Sequence, residues 1–507
     1  MRLRYFILAA SSAAFGADWL TDGADRQRTN WQRDEKILST DNAKNIKLLW
    51  NLPLDNKPRE MHALMPTLIA SNVPTSSGPK EIAIVAGAGD NIFGIDVKAG
   101  KVIWRKHFDF VNGTQMEGRG PLCPAGLLAT PTIGEADARG ARPLYAISGD
   151  GMMHFLNVGD GEDTAPPAKF MPPNGKPYAL NLREGVLYST TAQGCGGNPN
   201  LIYRFDLKTK TTKTYNPKGG GLWGRSGAAI GFDGTLYAPT GDAGYDPAEE
   251  RYGNLIISVT PDLKYKDHYA PSNIQFLWKR DLDAQVTPAV FKYKDRELLV
   301  SACKECRLWL MDSKSLGGAD HRTPLVRTPL LCNEEVNFAE AGIWGSMTTW
   351  EDASGTRWIL TGFWGPSHPK FKPPISHGPV KRGAVVAHKV EEKNGKIVLT
   401  PVWMSRDMDM AEPPVVANGV VYAYGSGESN IQVKPELGLA ANTSAMRVSD
   451  SSHATLFAFD GQTGKELWNS GNQIKTFAHF GALSVANGRV YLGTYDSMLY
   501  SFGIEGR

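Results

Sequence analysis

Short apolar runs alternate with polar turns along almost the whole chain. The pattern is clearest in residues 94–104 (Gly-Ile-Asp-Val-Lys-Ala-Gly-Lys-Val-Ile-Trp) and in residues 458–468 (Ala-Phe-Asp-Gly-Gln-Thr-Gly-Lys-Glu-Leu-Trp). Each segment predicts a β-strand, then a turn in which Asp accepts backbone N–H groups and Gly supplies a positive φ, then a second strand that ends in Trp. Repetition of one hairpin along a chain is typical of repeat architectures.

Strand-rich units of this kind recur at spacings of about 40 to 60 residues, the range expected for propeller blades. We therefore predict an all-β fold, an eight-bladed β-propeller of four-stranded antiparallel blades, with seven blades as the alternative. The predicted units contain residues 63–104, 144–150, 185–206, 234–258, 297–312, 357–387, 419–468 and 488–502.

The last unit lacks one strand, and a candidate for it lies near the other end of the chain. Residues 45–50 (Asn-Ile-Lys-Leu-Leu-Trp) form an apolar strand without partner strands nearby in the sequence. We predict that this strand joins the final blade and closes the ring, which removes two open sheet edges. Two polar insertions, residues 366–382 and 428–453, are expected to lie over one face of the ring.

The first residues have the features of a secretion signal. Arg2 and Arg4 precede an apolar run and a series of small residues, which predicts a signal peptide over residues 1–16. A lead-in segment over residues 17–45 and a propeller domain over residues 46–507 would follow. No later window is apolar enough to predict a membrane span. We expect a periplasmic or secreted protein.

Charge and cysteine content exclude several classes of partner and cofactor. The net charge of +3 is too small and too dispersed to favour nucleic acid. The five cysteines leave at least one thiol free or paired outside the chain. Cys303-Lys-Glu-Cys306 has no second pair to make a zinc site, and Arg307 in place of His excludes covalent haem. Structural disulfides are the expected use of cysteine in an exported protein.

The hairpin repeat, the ring closure and the signal peptide resemble the pyrroloquinoline quinone (PQQ) dehydrogenases, the eight-bladed quinoprotein alcohol dehydrogenases. Trp19, Thr21-Asp22-Gly23 and residues 37–42 are similar to the lead-in of that family. The resemblance implies PQQ and a calcium or lanthanide ion as cofactors. It also implies that an alcohol-type substrate is oxidised and that electrons leave through an external carrier such as a cytochrome c.

Three residues match positions that contact the quinone in this family. Trp223, in Gly219-Gly-Gly-Leu-Trp-Gly, is similar to the Trp that forms the floor under the quinone, where a planar cofactor needs an aromatic surface. Lys304 occupies the place of the cation at the quinone carbonyl oxygens, where it would stabilise charge arriving on oxygen. Trp344 lies where the family has a wall residue.

Three acidic residues match the metal site and the general base. Asp242, in Thr240-Gly-Asp, falls where the family has an Asn that ligates calcium, and its carboxylate suits a hard cation. Asp281-Leu-Asp283 resembles the family's Asp-x-Asp segment, with Asp281 as the proposed base and Asp283 as the mark of the lanthanide-using branch. Placed at i and i+2 on a strand, both carboxylates would point the same way and share one cation.

The chain departs from the family in two places. The adjacent Cys-Cys pair that closes over the quinone is absent, and only Cys123-Pro-Ala stands in that region. The third-blade glutamate that ligates the metal is also absent, since the matching stretch is Gln193-Gly-Cys195-Gly-Gly-Asn198. The active-site motifs are therefore degenerate.

The prediction for function is a quinoprotein-like dehydrogenase that oxidises an alcohol, a sugar or an aldehyde. The alternative is a non-catalytic propeller that binds protein or peptide, in the manner of an outer-membrane assembly factor, because a propeller hosts many functions. Hydrolase, zincin and P-loop motifs are absent from the sequence. The scattered residues His62, His368, His377 and His453 show no metal-ligand spacing.

Overall fold

The computed structural model describes residues 16–109, 122–432 and 442–505. Eight small antiparallel sheets are arranged in a ring and form an eight-bladed β-propeller, which confirms the predicted fold and excludes the seven-bladed alternative. The predicted signal peptide over residues 1–16 lies outside the described residues, except for its last position.

The strands of each of the first four blades follow one another in the chain, apart from one small hairpin inserted in blade 4. Blade 1 consists of Leu68–Val73, Lys80–Gly87, Asn91–Asp96 and Lys101–His107. Blade 2 consists of Thr132–Ile133, Pro143–Ile147, Met152–Asn157 and Asp163–Lys169. Blade 3 consists of Asn181–Arg183, Val186–Thr190, Ile202–Asp206 and Thr211–Tyr215. Blade 4 consists of Ala229–Ile230, Leu236–Pro239, Ile256–Val259 and Tyr265–Tyr269, with a small hairpin, Tyr245–Asp246 and Arg251–Tyr252, inserted.

The last four blades include two sheets with a fifth strand. Blade 5 consists of Ala289–Tyr293, Arg296–Ala302, Leu308–Asp312 and Val326–Arg327. Blade 6 consists of Thr348–Glu351, Arg357–Trp364, Gly383–Lys393 and Lys396–Met404, with Ile375–Ser376 added in parallel at its outer edge. Blade 7 consists of Val415–Ala417, Val420–Gly425, Thr455–Asp460 and Glu466–Asn469, with Trp31–Gln32 added in parallel beside its first strand. Blade 8 contains Ser484–Ala486, Arg489–Gly493 and Met498–Gly503.

A strand from near the N-terminus completes blade 8. Lys47–Pro53 pairs antiparallel with Met498–Gly503, from Lys47 opposite Gly503 to Pro53 opposite Met498. The predicted ring closure is therefore confirmed. The closing strand comes from the opposite end of the chain and supplies the outermost strand of the last blade, which joins the two ends of the ring.

The first strands of neighbouring blades contact one another, so they line the central channel. Many of their side chains are buried, as in Ala229–Ile230 and Val415–Ala417. Between the blades, buried apolar side chains form several clusters that each span adjacent sheets. This packing holds the loops that precede the first strands at fixed positions around one axis.

The lead-in segment runs along these first strands in blade order. The N–H of Ile69 donates to the carbonyl of Trp19 (2.9 Å), and that of Ile133 donates to Leu20 (2.8 Å). Residues 26–30 accept backbone hydrogen bonds from blades 4 to 7 in the same order. The N–H groups of the blades donate to the carbonyls of the segment: Ile230 to Arg26, Val290 to Gln27, Thr349 to Thr29 and Val416 to Asn30. The segment thus contacts successive blades and stabilises the ring as one unit.

Two short α-helices, Ile274–Lys279 and Ser444–Asp450, and three 3-10 turns, Ala43–Asn45, Cys195–Gly197 and Pro247–Glu249, complete the described elements. None of the helices in the described part of the chain is long and apolar enough to cross a membrane. The helix Ser444–Asp450 belongs to the insertion that interrupts blade 7.

All five cysteines lie within the described residues. Cys123 pairs with Cys195 across 72 residues, and Cys306 pairs with Cys332 across 26 residues. Cys303 is a buried free thiol, as the odd number of cysteines requires. The Cys303-Lys-Glu-Cys306 segment therefore contains no internal disulfide, since the second cysteine takes a partner from the loop after blade 5.

Candidate functional site

A cavity of about 500 Å³ lies at one end of the channel. Its wall comes mainly from the loops that precede the first strands: Tyr178 before blade 3, Arg225 before blade 4, Gln285 before blade 5, Gly345 before blade 6 and Phe480 before blade 8. A propeller brings these positions together because each blade repeats the same path toward the axis. All six residues that the sequence predicts for the site line this cavity: Trp223, Asp242, Asp281, Asp283, Lys304 and Trp344.

Three carboxylates form a compact cluster, which we call the acidic trio: Asp242, Asp281 and Asp283. One oxygen from each lies within 4.8 Å of the others. The Lys304 ammonium donates to Oδ2 of Asp283 (2.9 Å) and to the backbone oxygen of Asp281 (3.0 Å), with Oδ1 of Asp281 at 3.4 Å. The arrangement offers several carboxylate oxygens to a single hard cation.

The two aspartates from blade 5 do not lie on a strand, contrary to the expectation. They lie in the loop between the helix Ile274–Lys279 and the strand Ala289–Tyr293, and Asp281 adopts a left-handed conformation with φ of 53°. The carboxylates still converge, because the bend at Asp281 and the common partner Lys304 hold them on one side of the loop.

The orientation of Asp283 is fixed from two directions. The backbone N–H of Asp242 donates to Oδ1 of Asp283 at 3.0 Å. The side chain of the buried Asn254 lies against the same oxygen, and with its amide oriented to satisfy both of its neighbours it donates at 3.1 Å. Gly241 allows this approach, because a Cβ there would lie 2.8 Å from both Cβ of Asp283 and Nε1 of Trp223. A glycine is therefore needed where the trio meets the indole.

The trio carries more negative charge than its lysine neutralises. Burial and the charges of Asp283 and Asp281 raise the pKa of Asp242 above its ordinary value. Burial also raises the pKa of Asp281, even though Lys304 opposes the shift. For Asp283 burial alone would raise the pKa, but the charge of Lys304 and the hydrogen bonds to this carboxylate together lower it, so this carboxylate is the one held ionised. A bound cation would ionise the other two.

Trp223 presents its ring to the cavity beside a buried lysine. The ammonium of Lys176 lies 5.9 Å from the centre of the Trp223 ring, and the residue is only 6% exposed. Neither a hydrogen bond nor an ion pair to Lys176 is formed within the described residues, and burial lowers its pKa to about 8. A buried cation without a counter-ion favours an anionic group of a ligand at this place.

A second aromatic surface, which we call the aromatic wall, consists of Trp344, Trp364 and Phe480. The rings of Trp344 and Trp364 stack with centres 4.5 Å apart and planes 13° apart, and Phe480 follows at 6.3 Å and 18°. Lys304 lies over the outer face of Trp344, at 5.1 Å from the ring centre. Arg225 lies over Phe480 at 4.5 Å. The aromatic wall therefore extends from the acidic trio to blade 8.

Four polar residues beyond Phe480 form what we call the distal end of the cavity: His62, Glu428, Arg447 and His479. Arg447 donates to Oε1 of Glu428, and Nδ1 of His479 lies 2.6 Å from Oε2 of the same carboxylate. The rings of His62 and His479 meet edge to face at 4.6 Å. Burial raises the pKa of Glu428 to about 7 and lowers the pKa of both histidines well below 6.5.

Sequence reasoning did not find the distal end or Lys176. Glu428 and Arg447 belong to the described part of the insertion in blade 7 and line the cavity, and His479 comes from a loop without any motif. His62 shows no metal-ligand spacing along the chain. No local pattern marks these residues, because their contacts arise only when blades 1, 7 and 8 meet at ring closure. The other insertion instead adds Ile375–Ser376 to the outer edge of blade 6.

No family model matches the chain, and no curated protein matches it in sequence. Solved structures are similar in fold. The quinohemoprotein alcohol dehydrogenase of Comamonas testosteroni aligns with a TM-score of 0.62 and 13% identity, over 97% of this chain and 81% of that one. A europium-containing methanol dehydrogenase aligns with a TM-score of 0.61 and 12% identity, over 96% and 98%. A quinohemoprotein alcohol dehydrogenase of Pseudomonas putida HK5 aligns at 0.59 and 11%, over 97% and 81%. At this identity the likeness concerns the fold alone.

Proposed function

We propose that this protein is a PQQ-dependent dehydrogenase that oxidises an alcohol, a sugar or an aldehyde with the help of a calcium or lanthanide ion. The observation that carries the proposal is the acidic trio with Lys304, placed in one cavity with the exposed face of Trp223. This combination provides a metal site, a fixed cation and an aromatic floor within one enclosed space.

The donor set fits a hard cation. Asp242, Asp281 and Asp283 supply only carboxylate oxygens, the ligands preferred by calcium and similar ions. Gln193, which lines the same cavity in place of an acidic residue, offers an amide oxygen at most. Burial and the neighbouring carboxylates raise the pKa values of Asp242 and Asp281, although Lys304 opposes the shift. A divalent or trivalent ion would restore the balance.

The cavity also fits a planar, carboxylated cofactor. Trp223 would form its floor, Trp344 a side wall, and the buried Lys176 a partner for one of its carboxylates. The disulfide between Cys123 and Cys195 lies beside the cavity-lining residues Leu122 and Gln193. It connects two loops of different blades there and would stiffen this wall, in a chain that lacks an adjacent cysteine pair.

When bound, PQQ would supply a quinone that accepts a hydride from the substrate carbon. Asp281 would accept the proton of the substrate hydroxyl, since its carboxylate is half exposed to the cavity and its pKa is raised toward neutrality. Lys304 would stabilise negative charge on the quinone oxygen. Asp283, held ionised by Lys304, would serve as a metal ligand and keep the lysine in place.

Export and electron transfer complete the proposal. Two disulfides favour an oxidising compartment, in agreement with the predicted signal peptide and a periplasmic or secreted location. The sequence has no haem-attachment motif. Electrons would therefore pass to a separate carrier such as a cytochrome c.

Reconstitution tests the proposal directly. Protein stripped with a chelator is incubated with PQQ and Ca²⁺ or La³⁺, passed through a gel-filtration column, and examined for quinone absorbance. We expect retention of the chromophore, reduced retention in Asp283→Asn, and wild-type retention in the matched surface variant Asp295→Asn. A column fraction without chromophore under both metal conditions would reject the dehydrogenase and favour the non-catalytic, partner-binding propeller.

The role of Asp281 is tested by turnover. Asp281→Ala should abolish dye-linked alcohol oxidation while the variant still folds and retains PQQ. Retained turnover in this variant would reject Asp281 as the proton acceptor.

A further inference from the structure

We propose that a second pocket, which lies between blades 5 and 6, binds a small aromatic acid that also carries a hydroxyl group. The carboxylate of this ligand would lie beside Lys370 and Lys372, its ring among apolar side chains, and its hydroxyl against the buried His388. This interblade pocket measures about 410 Å³ and shares no lining residue with the cavity that contains the acidic trio. The inference is therefore independent of the proposed function.

The interblade pocket is built by an insertion to which the proposed function gives no role. Residues 366–382 form one side of the pocket, and residues 328–331, which follow the last strand of blade 5, form the other. The N–H of His368 donates to the carbonyl of Leu331 (2.8 Å), and the N–H of Phe371 donates to the carbonyl of His368 (2.9 Å). The insertion is thus fixed against blade 5 and forms a defined wall.

The charged side chains that line this pocket are all positive. Arg307, Lys370 and Lys372 line it, and no aspartate or glutamate does. Both lysines are exposed and make no ion pair within the described residues. Arg307 shares the carboxylate of Glu305 with a second arginine, Arg327. The excess of positive charge favours an anionic group of a ligand.

His388 supplies a polar contact in the buried part of the pocket. It lies on the strand Gly383–Lys393, is 1% exposed and lines the pocket. Within the described residues neither of its ring nitrogens makes a hydrogen bond, and Nδ1 is fully enclosed. Burial lowers its pKa to about 4, which keeps the imidazole neutral at neutral pH. A hydroxyl suits such a group, because it can donate to one tautomer and accept from the other.

Most of the remaining lining is apolar. Leu331, Phe371 and Leu399 are buried, and Pro329 and Pro401 complete the apolar surface. A pocket of this size with a few polar groups among apolar side chains is typical of small-molecule sites.

An aromatic ring is the apolar body that fits this lining. The ring of Phe371 lies 6.1 Å from that of His388, with their planes 28° apart, so an aromatic surface adjoins the unpartnered imidazole. A ring with a hydroxyl at one end and a carboxylate at the other offers one group to His388 and one to the exposed lysines. A fatty acid would leave His388 without a partner.

Calorimetric titration of 4-hydroxycinnamate into the full protein tests the inference. Two comparison compounds each lack one group: cinnamate lacks the hydroxyl, and 4-propylphenol lacks the carboxylate. We expect 4-hydroxycinnamate to bind and each comparison compound to bind about fivefold more weakly, or worse, because each loses one polar contact.

A rim variant tests the position of the carboxylate. Lys370→Gln combined with Lys372→Gln should weaken the Kd for 4-hydroxycinnamate about tenfold at low salt, because both exposed positive charges are lost. The matched control is Lys208→Gln combined with Lys213→Gln, which removes the same charge from exposed positions in blade 3 and should leave the Kd unchanged.

His388→Leu tests the position of the hydroxyl. This variant removes both ring nitrogens, so it should weaken 4-hydroxycinnamate about fivefold and leave cinnamate unaffected. The two acids should then bind equally well. The rim variant changes only exposed side chains, so it still tests the inference if His388→Leu does not fold.

Four results would overturn the inference. These are no binding of 4-hydroxycinnamate, an equal Kd for cinnamate in the wild-type protein, an unchanged Kd in the rim variant, or equal losses in the rim variant and its blade 3 control. Lys176→Met should leave the Kd unchanged. If it abolished binding instead, the acid would bind in the central cavity, and the interblade pocket would not be its site. PQQ retention plays no part in these titrations, so the dehydrogenase and this site stand or fall separately.

Discussion

Nζ of Lys304 lies 2.9 Å from Oδ2 of Asp283, and both side chains are almost completely buried. The same ammonium also contacts Asp281, so one lysine connects both aspartates of the blade 5 loop. This contact makes Lys304 a structural part of the acidic trio even before any cofactor is present. It also explains why two carboxylates can stay close together inside a protein.

Replacing Lys304 with Met should destabilise the metal-free protein strongly. Removal of one partner of a buried ion pair leaves an unpaired charge and costs about 3 to 5 kcal/mol. Denaturant unfolding in the presence of a chelator measures this difference. Lys294→Met is the matched control, because Lys294 pairs with Glu392 on the surface, where solvent screens the ion pair, and its loss should change stability far less. Equal effects of the two variants would contradict the role assigned to Lys304.

Replacing Lys176 with Met should have opposite effects on stability and on cofactor binding. Burial lowers the pKa of Lys176 from 10.5 to about 8, so at neutral pH the charged form destabilises the folded state by up to roughly 3 kcal/mol. Met removes this cost and fills the same volume. The free energy of unfolding should therefore rise, while PQQ retention in the reconstitution assay falls.

The direction of the pKa shift of Lys176 also determines how the stability of the protein depends on pH. A lysine with a depressed pKa binds its proton more weakly in the folded state, so the wild-type protein gains stability as the pH rises from about 8 to 10.5. Lys176→Met should lose this gain. A variant that is less stable than wild type at neutral pH would show that Lys176 has a partner which the structure does not reveal.

Replacing Arg28 with Met should destabilise the whole ring. Arg28 is fully buried and donates to Oγ1 of Thr21 (2.9 Å), to the carbonyl of Asp22 and to the carbonyl of Leu180 (2.9 Å). The bond to Leu180 connects the lead-in segment to the start of blade 3. Loss of several buried hydrogen bonds from a charged donor should cost about 3 kcal/mol or more. Denaturant unfolding should show one shifted transition, since the segment contacts several blades.

An exposed arginine provides the comparison for Arg28. Arg406 makes a surface ion pair with Glu466, and Arg406→Met should change stability by less than about 1 kcal/mol. If Arg28→Met unfolded in two separate transitions, the lead-in segment would not act on the ring as a unit.

The fold could be predicted from the sequence because every blade repeats the same short-range pattern. Turn residues such as Asp96 and Gly100 act within a few positions of each other, so a hairpin can be recognised locally. The site residues Trp223 and Asp283 are found in another way, through the resemblance of the short segments that contain them to segments of a known family. The ion pair of Lys304 with Asp283 joins positions 21 residues apart, and no sequence pattern predicts it.

The rest of the site depends on contacts that no local pattern records. His479 and Glu428 are 51 residues apart, and Cys123 and Cys195 are 72 residues apart. Their pairing is decided by how blades and insertions meet around the axis. Burial of Lys176 is likewise a property of the closed ring, since the residue looks like any loop lysine in the sequence. The pairing and the burial of charged residues near the axis could therefore be determined only from the structure.

The buried imidazole of His388 should make the protein sensitive to mild acid. His388 lies on the strand Gly383–Lys393, is 1% exposed and has no hydrogen-bond partner for Nδ1 within the described residues. Burial lowers its pKa from 6.5 to about 4. Between these values the unfolded chain binds a proton that the folded chain does not, so stability falls as the pH is lowered through this range.

The loss should reach roughly 3 kcal/mol by pH 4, at about 1.4 kcal/mol for each unit of pKa shift. His388→Gln removes the titrating group and should flatten the part of the stability profile between pH 6.5 and 4. His377→Gln, at an exposed position, is the matched control and should keep the wild-type slope. Denaturant unfolding at several pH values measures both. The glutamine side chain cannot take up a proton in this pH range. If the free energy of unfolding fell with pH equally in His388→Gln and in wild type, the acid sensitivity would therefore arise from other residues.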